Sequence, residues 1–276
     1  MKSIVWLASY PKSGNTWLRM FLANYLMDTT EPLPLAKVHQ FMLGDAIADT
    51  YAIIAKRPVD PNDQAAILAL RPAVLRAIVA NKADINLVKT HNRNAALKGR
   101  DLIPAAYTRL ALYVVRNPLD LVISYANHYG IAVGVAAQAI GAPSNRVNPG
   151  PANVTQYLGS WSDHVTGWTR TRKFPVCTLR FEDMIADPQK TFSTVLKRMR
   201  VPLDGARLDR AIEFSSFDQL RSQEDDHGFI EKSRHAERFF RTGQAGLWRE
   251  QLAPDIVRLI CERHGKVMRR FGYLER

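Results

Sequence analysis

Residues 4–27 of the chain read IVWLASYPKSGNTWLRMFLANYLM and contain the clearest indication of its fold. This stretch begins with a short apolar run that stops at Pro11, which is typical of a strand buried on both faces of a parallel sheet. From Leu18 to Tyr25, apolar residues recur at positions i, i+3, i+4 and i+7, the spacing of one apolar helix face. The stretch therefore predicts a strand, a loop that contains glycine, and a helix, in that order.

The loop between this strand and this helix has the layout of a phosphate-binding loop. Aligning Gly14 and Thr16 with the end of GxxxxGK[ST] places Asn15 where an ATP-using enzyme has its lysine. Backbone N–H groups at the helix start still make an anion site, and Ser13, Asn15 and Thr16 add side-chain donors. Lys12 lies inside the loop, where it can reach an oxygen that bridges a phosphate to a departing group. The alternative is a lysine in a surface turn.

Beyond this stretch, patterns typical of strands alternate with patterns typical of helices. Short apolar runs predict strands at 85–91, 109–117 and 175–181. Helices are predicted at 62–82 with an interruption near Pro72, from Pro118 behind an N-cap at Asn117, and at 154–171, 188–200, 207–213 and 254–271. Residues 130–152 read as a loop with a possible short helix, and 222–247 as a polar segment. The alternation predicts an α/β, P-loop-like three-layer fold, with a central mostly parallel sheet flanked by helices, in a single domain over 1–276.

The composition narrows the class of protein. The chain has 276 residues, of which 46% are hydrophobic and 23% charged, as in a globular domain. A formal net charge of +12 predicts an anionic partner, but the basic residues are scattered, which disfavours nucleic acid. Cys177 and Cys261 have no metal-site spacing. We find no signal peptide and no run of about 20 apolar residues, so we expect a cytoplasmic protein without a membrane span.

The string SYPKSGNTW (9–17) resembles the 5′-phosphosulfate loop of the cytosolic-type sulfotransferases, whose pattern is close to YPKSGTTW. That family takes its sulfuryl group from 3′-phosphoadenosine 5′-phosphosulfate (PAPS) and releases adenosine 3′,5′-bisphosphate (PAP). The resemblance, which suggests a bacterial member, implies that the loop from Ser13 to Thr16 binds the 5′-phosphate. It also implies that Lys12 assists the departure of this phosphate from sulfur, and that no metal is needed.

Two further motifs resemble the family's 3′-phosphate site. VVRNPLDLVISY (114–125) is similar to RNPxDxxxSYY, which implies that Arg116 and Ser124 bind the 3′-phosphate. RTGQAGLW (241–248) is similar to RKGxxGDW and implies a loop over the same phosphate, with Arg241, Thr242 and Gly243 in it. Thr242 replaces a lysine, so one cation of the family's site is missing. Without the resemblance, Arg116 and Ser124 would read as a strand-end arginine and a serine on a solvated helix face.

The resemblance also implies an adenosine site. Trp17 matches the family's adenine-stacking tryptophan, and Phe181 in LRFEDM (179–184) takes the place of a tyrosine. FSSFDQL (214–220) puts Ser215 and Phe217 at further adenosine positions. Taken singly, such aromatic residues belong to the core more often than to a ligand site.

Sulfuryl transfer to a hydroxyl needs a proton acceptor, and histidine has a suitable pKa. His91 ends the predicted strand 85–91, and ligands of parallel α/β sheets gather at the carboxyl ends of strands. Lys89 lies two residues earlier, on the same strand face. The triplet KTH (89–91) also resembles the family's KTHLP segment, which makes His91 the expected base and Lys89, with Lys12, the expected cations. The other six of the seven histidines are expected to be structural.

We therefore predict a PAPS-dependent sulfotransferase that acts on a hydroxyl of a small-molecule acceptor, such as a phenol, an alcohol or a natural product. Residues 28–84, 130–152 and 222–240 are expected to face this acceptor. One alternative is a P-loop small-molecule kinase, which the missing GK step disfavours. The other is a non-enzymatic protein that binds nucleic acid or another polyanion. The sequence leaves the oligomeric state open.

Overall fold

The computed structural model of the protein describes residues 3–81 and 83–275. The strands are β1 (Ser3–Ser9), β2 (Leu43–Gly44), β3 (Ile85–Thr90), β4 (Ala96–Leu97), β5 (Arg100–Asp101), β6 (Thr108–Val115), β7 (Arg146–Val147), β8 (Gln156–Tyr157) and β9 (Val176–Arg180). The α-helices are α1 (Asn15–Met27), α2 (Val38–Phe41), α3 (Ala48–Ala55), α4 (Gln64–Ala80), α5 (Pro118–Tyr129), α6 (Val133–Gly141), α7 (Trp161–Thr169), α8 (Phe181–Ala186), α9 (Pro188–Met199), α10 (Gly205–Phe214), α11 (Phe217–His227), α12 (Trp248–Gln251) and α13 (Pro254–Arg270). Short 3₁₀ turns lie at Leu35–Lys37 and Ala105–Tyr107.

The central sheet is parallel throughout. Its strand order is β2–β3–β1–β6–β9, and each neighbouring pair runs in the same direction. Two small antiparallel pairs, β4 with β5 and β7 with β8, lie outside it. Non-consecutive neighbours require crossovers, which the helices provide. The predicted α/β fold with a mostly parallel sheet is confirmed.

Both faces of the sheet are buried, which makes the fold three-layered. Along β1, Trp6 faces one apolar cluster, together with residues of α4, α5, α7 and α13, while Leu7 faces a second cluster built by α1, α9 and α10. This alternation is the two-residue period of a strand. A strand covered on both sides must be apolar at nearly every position, as the sequence from Ile4 onward is.

The predicted helix at 62–82 is present as α4, but its interruption near Pro72 is wrong. The helix runs unbroken from Gln64 to Ala80, and the Asp63 carboxylate caps it by accepting from the N–H groups of its first turn. Leu68 and Leu75 are buried on either side of Pro72, so packing holds the helix despite the one missing N–H donor. Lys82 lies outside the described residues.

Two other predicted ranges also need correction. The helix predicted at 154–171 begins only at Trp161, because Gln156–Tyr157 pair with β7 and Ser160 caps the helix by accepting from the Asp163 N–H. The polar segment predicted at 222–247 begins inside α11, which ends at His227. The short helix considered within 130–152 is α6. Among the described residues, no helix has the length and apolar character needed to cross a membrane.

The register brings the ends of three strands together. Ala8 in β1 pairs with Thr90 in β3, and Ser9 pairs with Val114 in β6. The residues that follow these strands therefore leave the sheet side by side at its carboxyl edge, the usual ligand position in such folds.

Candidate active site

A cavity of about 940 Å³ lies at this edge, where β1, β3 and β6 end. Its wall includes every side chain predicted for the site except Ser13 and Ser215. The predicted residues that line it are Lys12, Gly14, Asn15, Thr16, Trp17, Lys89, His91, Arg116, Ser124, Phe181, Phe217, Arg241, Thr242 and Gly243. Segments far apart in the chain thus converge on one space.

Ser13 and Ser215 are fully buried and lie outside the cavity wall. The hydroxyl of Ser13 has no hydrogen-bond partner among the described residues. The hydroxyl of Ser215 donates to the carbonyl oxygen of Ala211 at 2.7 Å, at the end of α10. The neighbouring Ser216 lines the cavity instead. Ser215 therefore has a helix-ending contact, and its adenosine role stays a prediction.

The loop after β1 has the backbone of an anion-binding turn. Lys12 and Gly14 have φ angles of 68° and 100°, in the left-handed region that favours glycine. A Cβ atom on Gly14 would lie 2.7 Å from Cδ2 of Phe181, so only glycine fits there. The Asn15 amide donates to the carbonyl oxygen of Leu7 at 2.9 Å and ties the helix start to β1. Because Gly14 has no side chain to cap α1, the first-turn N–H groups are available to an anion.

Lys12 and Arg116 lie together against aromatic rings. Lys12 Nζ is 3.6 Å from the centroid of the Phe239 ring, and the Arg116 guanidinium carbon is 4.3 Å from that of Phe181. Arg116 also donates to the carbonyl oxygens of Lys12 and Gln244, each at 3.1 Å. Burial, followed by the charge of Arg116, lowers the pKa of Lys12 to about 7. An anionic ligand would relieve the repulsion between these cations.

His91 is held in an orientation that suits a base. Its Nδ1 is 2.8 Å from the carbonyl oxygen of Ser9; because a carbonyl only accepts, Nδ1 carries the hydrogen and Nε2 keeps its lone pair. Its own carbonyl oxygen accepts from His164 Nε2 at 3.1 Å. Burial, followed by the charge of Lys89, lowers the pKa of His91 to about 3. The imidazole is therefore neutral near pH 7.

Trp17 and Phe181 meet edge to face, with ring centroids 6.1 Å apart, and both line the cavity.

The sequence that builds this site matches a known family. The family model for the sulfotransferase domain aligns with residues 2–272. The chain belongs to the sulfotransferase domain family. The family prediction is thereby confirmed, and the match favours a sulfotransferase over the kinase and the polyanion-binding protein.

Curated relatives and solved structures agree with this assignment. Sulfotransferase 1C2 of Rattus norvegicus is 26% identical over 266 residues, which cover 88% of this chain and 75% of the rat protein. Mouse sulfotransferase SULT7A1, solved in complex with PAP, superposes with a TM-score of 0.61 at 17% identity, covering 98% of this chain and 86% of that one. Retinol dehydratase, solved with androsterone and the inactive cofactor PAP, gives 0.65 at 18% identity, covering 96% and 80%. These structures show the shared fold.

In this sulfotransferase, Lys89 contacts an acidic side chain that is not among the predicted site residues. The Glu231 carboxylate lies 2.9 Å from Lys89 Nζ and 2.7 Å from Arg19 Nη1. Burial opposes the charged form, but Lys89 and Arg19 hold the pKa of Glu231 well below its ordinary value. Burial in turn lowers the pKa of Lys89, against the attraction of Glu231. No local pattern around Glu231 signals this role.

A second acidic residue outside the predicted set, Asp45, supports the end of β3 in the sulfotransferase. Asp45 Oδ2 accepts from Arg71 at 2.6 Å, Thr90 at 2.8 Å and Asn92 at 3.1 Å. Thr90 and Asn92 are the two neighbours of His91. The Asp45 carboxylate therefore holds the side chains on both sides of the expected base.

Asp120 likewise fixes a loop of the sulfotransferase site. Its two oxygens accept from the backbone N–H groups of Gly246, at 2.8 Å, and Trp248, at 3.1 Å. The loop predicted to cover the 3′-phosphate is thereby tied to the first turn of α5. In the sequence, the aspartate of the RNPxD motif is the feature that could have indicated this role of Asp120.

Proposed function

We propose that this sulfotransferase transfers the sulfuryl group of PAPS to a hydroxyl of a small molecule and releases PAP. The single observation that carries the proposal is the convergence of Lys12, Lys89 and His91 on one cavity in a member of this family. The mouse relative of similar fold was solved with PAP, which supports the choice of donor.

The residues present fit such a donor. Arg116, Ser124 and Arg241 line the cavity and provide two cations and a hydroxyl for the 3′-phosphate. Trp17 and Phe181 offer aromatic faces and edges to an adenine. Gly14, Asn15 and Thr16 line the cavity at the start of α1, where no side chain caps the first-turn N–H groups, so these groups can bind the 5′-phosphate.

In the proposed reaction, His91 Nε2 takes the proton of the acceptor hydroxyl. The acceptor oxygen forms a bond to sulfur while the bond between sulfur and the 5′-phosphate oxygen breaks, so that the sulfuryl group passes to the acceptor. Lys12 and Lys89 stabilise the negative charge on the transferring group and on the departing phosphate. The low pKa of His91 keeps its lone pair available in the resting protein.

The rest of the cavity would take the acceptor. Met42, Ile47, Val147 and Ile230, from the three segments predicted to face the acceptor, line it and supply apolar contacts. This supports an acceptor that carries an apolar body beside its hydroxyl. A cytoplasmic location, a single domain over residues 1–276 and a reaction without metal stay predictions.

The test is release of PAP from PAPS in the presence of a panel of phenols and alcohols. We expect acceptor-dependent release by the natural protein and none by His91→Ala, with PAP binding retained by that variant. His227→Ala is the matched control, because His227 is exposed at the end of α11. Unchanged turnover in His91→Ala would exclude His91 as the base.

A further inference from the structure

One segment of the chain contacts three of the cations expected to bind the donor. This closing segment, residues 228–247, places the Glu231 carboxylate on Lys89, the Phe239 ring over Lys12 and the Gln244 carbonyl on Arg116. Each contact is made by a different kind of group, and each one falls on a cation of the site. The closing segment therefore interacts with the groups on which PAPS depends.

Glu231 makes the most specific of these contacts. Its two oxygens go to two different cations, Oε1 to Arg19 and Oε2 to Lys89. The side chain of Arg19 is only 1% exposed, and those of Glu231 and Lys89 are 16% and 22% exposed. Two cations that hold the two oxygens of one partly buried anion form a site for an oxyanion. In this structure, the carboxylate of Glu231 occupies that site.

We propose that Glu231 competes with the sulfuryl group of PAPS for Lys89 and Arg19, and that its carboxylate must leave these cations when PAPS binds. The proposal rests on the proposed function, which assigns Lys89 to the sulfuryl group. A carboxylate and a sulfuryl group are both negative, so their simultaneous presence at one cation pair is unfavourable. PAP has no sulfuryl group and does not meet this competition. Glu231 therefore weakens the binding of PAPS relative to that of PAP.

The backbone of the closing segment is held on either side of Glu231. The Glu224 carboxylate accepts from the N–H groups of Phe239 and Phe240, at 2.6 and 2.8 Å. At the other end of this stretch, Phe229 is buried, whereas the adjoining Ile230 is 79% exposed. Glu231 can therefore be released by movement within residues 230–238 while Phe229 and Phe240 stay buried.

The test compares the affinities of PAPS and PAP, measured by calorimetry without acceptor, for the natural protein and Glu231→Gln. Glutamine keeps the size of the side chain and removes its charge. Hydrogen bonds to charged groups contribute enough that we expect the affinity for PAPS to rise by about tenfold or more, with that for PAP unchanged. Glu237→Gln is the matched control, because Glu237 is an exposed residue of the same segment, and it should change neither affinity.

A second variant separates contact from net charge. Glu231→Asp keeps the charge but is one methylene shorter, so it cannot bridge Arg19 and Lys89, and it too should strengthen PAPS binding. An unchanged ratio of the two affinities in both variants overturns the competition while leaving the proposed function intact. If the natural protein binds neither PAPS nor PAP, the proposed function itself is wrong.

Discussion

Replacing Asp45 with asparagine removes one buried charge from the cluster that holds both neighbours of His91. The exposed fractions of the Asp45 and Arg71 side chains are 1% and 6%, and their closest atoms are 2.6 Å apart. Breaking a buried ion pair from one side costs about 3–5 kcal/mol of unfolding free energy. Arg71 keeps the carbonyl oxygen of Leu102 as an acceptor, at 2.8 and 3.0 Å, so we expect the lower end of this range, about 3 kcal/mol.

Urea unfolding followed by circular dichroism measures this cost. Arg71→Met alone should be similarly destabilising, because it leaves the Asp45 carboxylate buried without its cation. The double variant Asp45→Asn/Arg71→Met should cost less than the sum of the two single changes, since neither charge then stays unpaired. A loss below about 1 kcal/mol in Asp45→Asn, or strict additivity in the double variant, would show that Asp45 and Arg71 do not form a coupled buried pair.

The other predictions concern ligand binding and pH. Thr242→Lys restores the cation that the family pattern contains, so calorimetry should show that this variant binds PAP about tenfold more tightly than the natural protein. An unchanged affinity would place residue 242 away from the phosphate. With a pKa of about 3, the His91 imidazole stays neutral from pH 8 to 5, so kcat/KM should not fall with a midpoint near 6.5 as the pH is lowered. Such a fall would contradict the low pKa of His91. Lys12 has a pKa of about 7 and is charged below that pH, so the affinity for PAP should fall as the pH rises from 6 to 9. Lys12→Met should make the affinity for PAP nearly independent of pH over this range. An equal fall in that variant would assign the pH dependence to another group.

The part of the fold that local pattern determines could be predicted from the sequence. The apolar run from Ile4, the glycine-bearing loop and the periodic helix are encoded within one stretch, and their order matches β1, the loop and α1. The N-cap at Asn117 is likewise local: its side chain accepts from the Leu119 N–H at 3.1 Å. His91 could be placed at the site because a parallel strand presents its carboxyl end there.

What escaped prediction depends on contacts between distant segments. Glu231 meets Arg19 from a stretch without periodicity or motif, and nothing within either stretch specifies their pairing. Asp45 follows a strand of two residues, too short for a period-two pattern to reveal it. Pro72 remains inside a helix despite its helix-breaking preference, because the helix residues on either side of it are buried and tertiary packing stabilises the helix.

The sulfotransferase proposal requires that the cavity bind a nucleotide through its 3′-phosphate. Calorimetry with PAP, ATP and 5′-AMP tests this requirement on the natural protein, on Arg116→Ala and on the control Arg57→Ala, whose arginine is exposed and does not line the cavity. We expect selective binding of PAP, which weakens in Arg116→Ala and persists in Arg57→Ala. Equal binding of ATP and PAP, unaffected by the loss of Arg116, would contradict it.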